Sequence, residues 1–173
     1  SKLFIRYIVY IRYILYLCKK IIDMEQAVIK RKNIDLPVEI LQKLSQEHSS
    51  QSNIFLELSR SYKKSKMLDE ALASARKAVN LSPNGLSAIT NLGEILAYGN
   101  LYEEAIATLE RSLQRQKSNE IENVLVSVLV EFSKQQDIKI DRRISVMKKA
   151  SKLHPNNKEI SSEISRLEKM LKK

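Results

Sequence analysis

Side chains that could catalyse a reaction or hold a metal are few and scattered. His48 and His154 each stand alone, with no cysteine and no paired acids at ligand spacing nearby. Glu103 and Glu104 are adjacent, so on a helix they diverge and cannot act as an acid–base pair. Cys18 is the only cysteine, which excludes an internal disulfide and a cysteine-based zinc site. With three glycines and no phosphate-binding loop, the sequence predicts a protein that is not an enzyme and has no cofactor and no metal.

The remaining chemistry is that of a charged surface. The formal net charge is +10; residues 1–34 carry eight basic and two acidic side chains, and residues 134–173 carry twelve and five. Basic ends can contact anionic lipid, nucleic acid or an acidic protein. At the C-terminal end we favour an ordinary solvated surface, because it lacks the aromatic residues on which bases stack. Nucleic acid is therefore not the expected partner.

The elements that position these surfaces follow a sequence period of 34 residues, which is typical of helix–turn–helix repeats. Residues 52–85 and 86–119 place apolar and small residues at equivalent positions. The apolar positions hold Phe55, Leu58, Tyr62 and Ala75 in the first unit, and Ile89, Leu92, Leu96 and Leu109 in the second. The small positions hold Ser59 and Ala71, then Gly93 and Ala105. Since no stretch alternates long enough for a sheet, we expect an all-α fold.

The segments YKKSKMLDEALASARKAVNLSPN and LGEILAYGNLYEEAIATLERSL resemble the tetratricopeptide repeat family. The resemblance implies a solenoid of antiparallel helix hairpins. The small residues would let the two helices of each unit approach closely, and Pro83 would end the second helix of its unit. Two unrelated hairpins are the alternative, but the in-phase agreement at many positions argues against it.

Three further segments complete the expected architecture. Residues 18–51 are predicted to be a degenerate repeat, with two ordinary helices in register as the alternative. Residues 120–155 are a third unit, so that 52–155 holds three repeats. Its turn contains about four extra residues, and Arg143 stands where a small residue belongs. Residues 156–173 are a capping helix, with a partner-binding coiled-coil segment as the alternative.

Residues 1–20 form an apolar, tyrosine-rich segment for which we predict a helix, with a strand as the competing structure. On a helix its basic residues share one arc, and the opposite face carries no charge. Such a helix can lie at an anionic membrane surface, pack against protein, or span the membrane. The candidate membrane-facing residues are Phe4, Arg6, Tyr7, Ile11, Arg12 and Ile14.

In the tetratricopeptide family the first helices of successive units line a groove, which the resemblance carries over to this chain. The candidate groove residues are Asn53, Leu56, Arg60, Lys63, Lys64, Asn91, Glu94, Tyr98, Val128 and Phe132. Such a groove would be basic at one end and apolar at the other, and would suit an extended peptide or helix with an acidic and an aliphatic part. A clamp for chaperone carboxylates is not expected, because only Asn91 matches its pattern.

The sequence thus predicts a protein–protein interaction scaffold or assembly factor, docked at a membrane or membrane complex on the cytoplasmic or organellar stromal side. Three alternatives stay open. The chain could be the helical arm of a larger bacterial transferase. It is also similar in architecture to small membrane-attached repeat proteins that assist photosystem assembly. The last alternative is an RNA-binding helical repeat.

Overall fold

A computed structural model describes residues 38–172 of the chain, and this part contains eight α-helices and no strand. The helices are α1 Val38–Glu47, α2 Ser52–Lys64, α3 Leu68–Leu81, α4 Leu86–Tyr98, α5 Tyr102–Arg115, α6 Asn119–Ser133, α7 Ile140–Leu153 and α8 Lys158–Leu171. The all-α prediction is confirmed. The predicted helix at 1–20, its candidate membrane-facing residues and the first half of the 18–51 unit lie outside the described residues.

Consecutive helices pack against each other as hairpins, α2 with α3, α4 with α5 and α6 with α7. The first helices also contact one another across units, because α4 touches both α2 and α6. Before them, α1 packs on α2 and buries Leu41. After them, α8 packs on α7 and buries Ile160 and Leu167. The result is the predicted solenoid of stacked hairpins.

The small residues predicted at the helix crossings are buried there. Ala71 and Ala105 have no exposed surface, and Ser59 has none either. A Cβ built on Gly93 would lie 2.9 Å from both methyl carbons of Leu109, which is closer than real Cβ contacts. Helices α4 and α5 therefore approach so closely at Gly93 that a side chain there would displace Leu109.

The first two hairpins have the same turn. Lys66 and Asn100 stand 34 residues apart, and both adopt left-handed backbone conformations with φ of 61° and 60°. The amides that follow them, of Met67 and Leu101, donate to carbonyls of the preceding helices at 3.0 and 2.9 Å. This is the hydrogen-bond pattern of a Schellman motif, which satisfies carbonyls left free at a helix end.

We expect Lys66→Gly to raise the free energy of unfolding by up to about 1 kcal/mol. The left-handed conformation costs a residue with a Cβ about 1–2 kcal/mol, and glycine's greater loss of entropy on folding offsets only part of that gain. Ser65→Gly is the control, because Ser65 has φ of −78° and gains nothing from glycine. Urea unfolding followed by circular dichroism measures both variants. A similar change in the two would show that the turn is not strained at Lys66.

The turn of the third hairpin differs, as the sequence predicted. Residues 134–139 separate α6 from α7, and Lys134 has an ordinary φ of −85°. Arg143, which stands where a small residue was expected, donates from Nε to the carbonyl of Ser133 at the end of α6. The guanidinium thus satisfies the carbonyl of the last residue of α6, one of the carbonyls that a helix end leaves free.

Candidate functional site

The first helices of the three hairpins together line an open cleft of about 410 Å³. It is lined by Lys63 from α2, by Glu94, Ala97 and Tyr98 from α4, and by Asn123, Val124, Ser127, Val128 and Glu131 from α6. The structure therefore brings together Lys63, Glu94, Tyr98 and Val128 of the predicted groove residues. The other predicted residues of α2, namely Asn53, Leu56, Arg60 and Lys64, do not line this cleft.

Lys63 is held inside the cleft by two neighbours on α4. Its ammonium nitrogen lies 3.9 Å from a carboxylate oxygen of Glu94 and 5.6 Å from the centre of the Tyr98 ring. Tyr98 is about half exposed, at 48%. On the same helix as Lys63, Arg60 pairs with Glu57 at 2.7 Å. The cation of the cleft is thus already engaged by an acid and an aromatic face.

Asn91 and Phe132 are turned away from the cleft, contrary to the prediction. Asn91 is buried and donates to the hydroxyl of Ser59 at 2.7 Å, which links α4 to α2. Phe132 is buried and stacks on Tyr102, with ring centres 5.2 Å apart. Both residues therefore stabilise contacts between helices.

The position of Phe132 follows from a shift in helix register. Helix α6 begins at Asn119, one residue before the predicted start at 120, and Ser118 caps it by accepting from the Ile121 amide. One residue corresponds to about 100° of rotation on a helix. The shift brings Asn123 and Ser127 to the cleft. Ser118 is the sequence signal that could have located this start, since serine is a preferred N-cap residue.

The charged residues that line the cleft are one lysine and two glutamates, and the basic end that was expected is missing because Arg60 and Lys64 do not line it. The charge of Glu131 also acts on the hydroxyl of Tyr102. Burial, and secondarily the charge of Glu131, raise the pKa of the Tyr102 hydroxyl above its ordinary value. That hydroxyl also accepts from the Gln135 amide at 2.8 Å. The carboxylate of Glu131 therefore lies at the edge of the cleft nearest the end of α6.

Metal and membrane chemistry have no support in the part of the chain that the structure describes. Between Val38 and Lys172 no group of three or more His, Cys, Asp or Glu side chains is arranged to hold a metal ion. In the same range no helix has both the length and the apolar character needed to span a membrane.

Stacked helix hairpins whose first helices share an open cleft define a helical-repeat protein. The tetratricopeptide repeat family model matches residues 52–84 and 86–119, which are the hairpins α2–α3 and α4–α5. Residues 52–119 are therefore two tetratricopeptide repeats, and repeats of this kind imply a protein–protein interaction scaffold. No curated protein matches the sequence significantly.

Solved structures support the fold. MamA from Desulfovibrio magneticus RS-1 matches with a TM-score of 0.58 and 16% identity, over 86% of this chain and 82% of that one. YrrB, a tetratricopeptide repeat protein with an unusual peptide-binding site, matches with 0.51 and 20%, over 76% and 66%. The first repeat domain of Spaghetti (RPAP3), bound to the HSP90 peptide SRMEEVD, matches with 0.50 and 17%, over 72% and 96%.

Proposed function

We propose that the cleft between α2, α4 and α6 is where this scaffold binds a protein partner, through an extended segment of that partner. The observation that carries the proposal is that three successive first helices contribute side chains to one open cleft. A row of parallel elements of this kind suits a ligand that runs across all three. YrrB and the RPAP3 domain, which share the fold, bind peptides.

The cleft also has the composition of a binding surface. Ala97 and Val128 form a buried apolar floor, and Val124 is half-buried beside them. Polar groups of Asn123 and Ser127 are exposed at its wall. An apolar floor with polar groups around it buries part of a peptide and fixes its orientation.

A library of random peptides displayed on phage tests the proposal. Peptides selected on the full chain should lose at least about tenfold in affinity for the Ser127→Arg variant, because the long side chain fills the cleft from an exposed position. Ser161→Arg makes the same change at an exposed position on α8 and should leave affinity unchanged. If the selected peptides bind both variants equally well, the binding site lies elsewhere on the chain.

The finer functions predicted from the sequence are proposals: assembly of a complex depends on the scaffold's binding of partners, and docking at a membrane depends on residues 1–20. These residues lie outside the described part of the chain. Interfacial binding of this segment stays a prediction, as does the compartment in which the protein works.

A further inference from the structure

We infer that the cleft takes a segment in which a lysine or arginine stands beside aliphatic residues, and that Lys63 occupies the place of that cation in the free protein. This inference rests on the proposed function and names the chemistry of the partner. It reverses the acidic ligand that the sequence predicted.

Charge is the first argument. The cleft is lined by the carboxylates of Glu94 and Glu131 and by a single cation, Lys63. Lys63 lies 3.9 Å from Glu94, whereas no described cation between residues 38 and 172 forms an ion pair with Glu131. An acidic segment would meet two carboxylates, but a cationic one would meet the unpaired Glu131 and could compete for Glu94. Complementary charge of this kind makes one class of partner bind more tightly than another.

The ring of Tyr98 is the second argument. An exposed aromatic face beside carboxylates attracts an ammonium or guanidinium group. Lys63 already shows this binding mode from within the chain, since its nitrogen lies 5.6 Å from the ring centre and the lysine side chain is only one-third exposed, at 34%. A cation from a partner would find the same two receptors, the ring and Glu94, together with Glu131.

The apolar floor is the third argument, and it sets what lies beside the cation. Val124 and Val128 stand one turn apart on α6, and Ala97 faces the cleft from α4. This floor is aliphatic and small, so it fits a branched aliphatic side chain. The cleft therefore favours a segment that carries a cation and an aliphatic residue close to each other.

Two pools of fluorescein-labelled peptides provide the probe. In the first pool every position of the peptide is Lys, Leu, Ile, Ser or Gly. In the second pool Glu takes the place of Lys. Fluorescence anisotropy with the full chain should show that the basic pool binds more tightly, by about tenfold or more at low salt, and that the difference shrinks as salt rises. Tighter binding by the acidic pool would overturn the inference.

Lys63→Gln is the decisive variant because the two ligand types predict opposite results. If Lys63 competes with the ligand's cation, its removal should tighten binding of the basic pool several-fold. If Lys63 instead receives an acidic ligand, its removal should weaken binding. Lys64→Gln is the matched control, since it makes the same change one residue further along α2, outside the cleft.

Glu94→Gln combined with Glu131→Gln should weaken binding of the basic pool by about tenfold. Glu70→Gln combined with Glu120→Gln removes the same charge from exposed positions outside the cleft and should change little. If both pools bind equally and both lose affinity in Ser127→Arg, the inference fails while the proposed function stands. If neither pool binds, the inference fails. The phage-displayed library then tests separately whether the cleft binds peptides.

Discussion

Truncating Leu109 to alanine is expected to lower the free energy of unfolding by about 2–5 kcal/mol. Leu109 lies on α5 with no exposed surface, and its methyl groups fill the space beside the bare backbone of Gly93 on α4. Removing them leaves a cavity at the closest approach of the two helices, where the backbones cannot move together further. Urea unfolding of the full chain measures the loss. Leu81→Ala, at an exposed position at the end of α3, should change stability by less than about 0.5 kcal/mol.

A double-mutant cycle tests whether Gly93 and Leu109 act as a pair. Gly93→Ala alone should destabilise by about 1–3 kcal/mol, because its Cβ would lie 2.9 Å from both methyl carbons of a side chain that is fully enclosed. In the Leu109→Ala background the same change enters empty space and gains helix propensity. The double variant should therefore be more stable than the sum of the single losses, by about 0.5–3 kcal/mol. Additive losses would show that the two residues do not share this contact.

The helix crossings could be predicted from sequence because their physics is local and repeated. Ala71 and Ala105 stand at the same place in two units, and only small residues fit where helices touch. The repeat period fixed these positions without knowledge of the neighbours. The resemblance to the tetratricopeptide repeat family placed Lys63, Glu94 and Tyr98 on the surface where the cleft lies.

The third unit shows why the rest of the site could not be predicted in this way. When the start of a helix moves by one residue, every side chain is assigned a direction that differs by about 100°. An error of one position therefore assigns core residues to the cleft and cleft residues to the core. Counted from residue 120, Phe132 faces the groove. Counted from the observed start at Asn119, Phe132 packs on Tyr102 and its neighbour Glu131 faces the cleft.

Contacts between units were also beyond the sequence. The buried hydrogen bond from Asn91 to Ser59 joins side chains on α4 and α2, and the ion pair of Arg76 with Glu104 joins α3 and α5. Each depends on how two hairpins stack, which a repeat period does not specify. A residue such as Asn91 can therefore match a binding pattern in sequence and yet stabilise the stack.

Replacing Ala105 with leucine is expected to lower the free energy of unfolding by about 1–3 kcal/mol. Ala105 has no exposed surface and lies in the first turns of α5, a helix that contacts both α4 and α6. Three added carbon atoms cannot be placed there unless one of these helices moves. Because α4 and α6 line the cleft, such a movement should also weaken the binding of any peptide ligand in the cleft.

Ala107→Leu is the matched control, with the same residue replaced in the same way on the same helix at an exposed position. There the larger side chain extends into solvent, so the free energy of unfolding should stay within about 0.5 kcal/mol of the parent. The two variants have identical composition, so the effect of the substitution on the unfolded state is the same in both and cancels when their stabilities are compared. The difference between them, measured by urea unfolding, therefore reports the packing at Ala105 alone. Equal stabilities would mean that α5 does not cross its neighbours at this residue, and the assignment of the small position in the second repeat would be wrong.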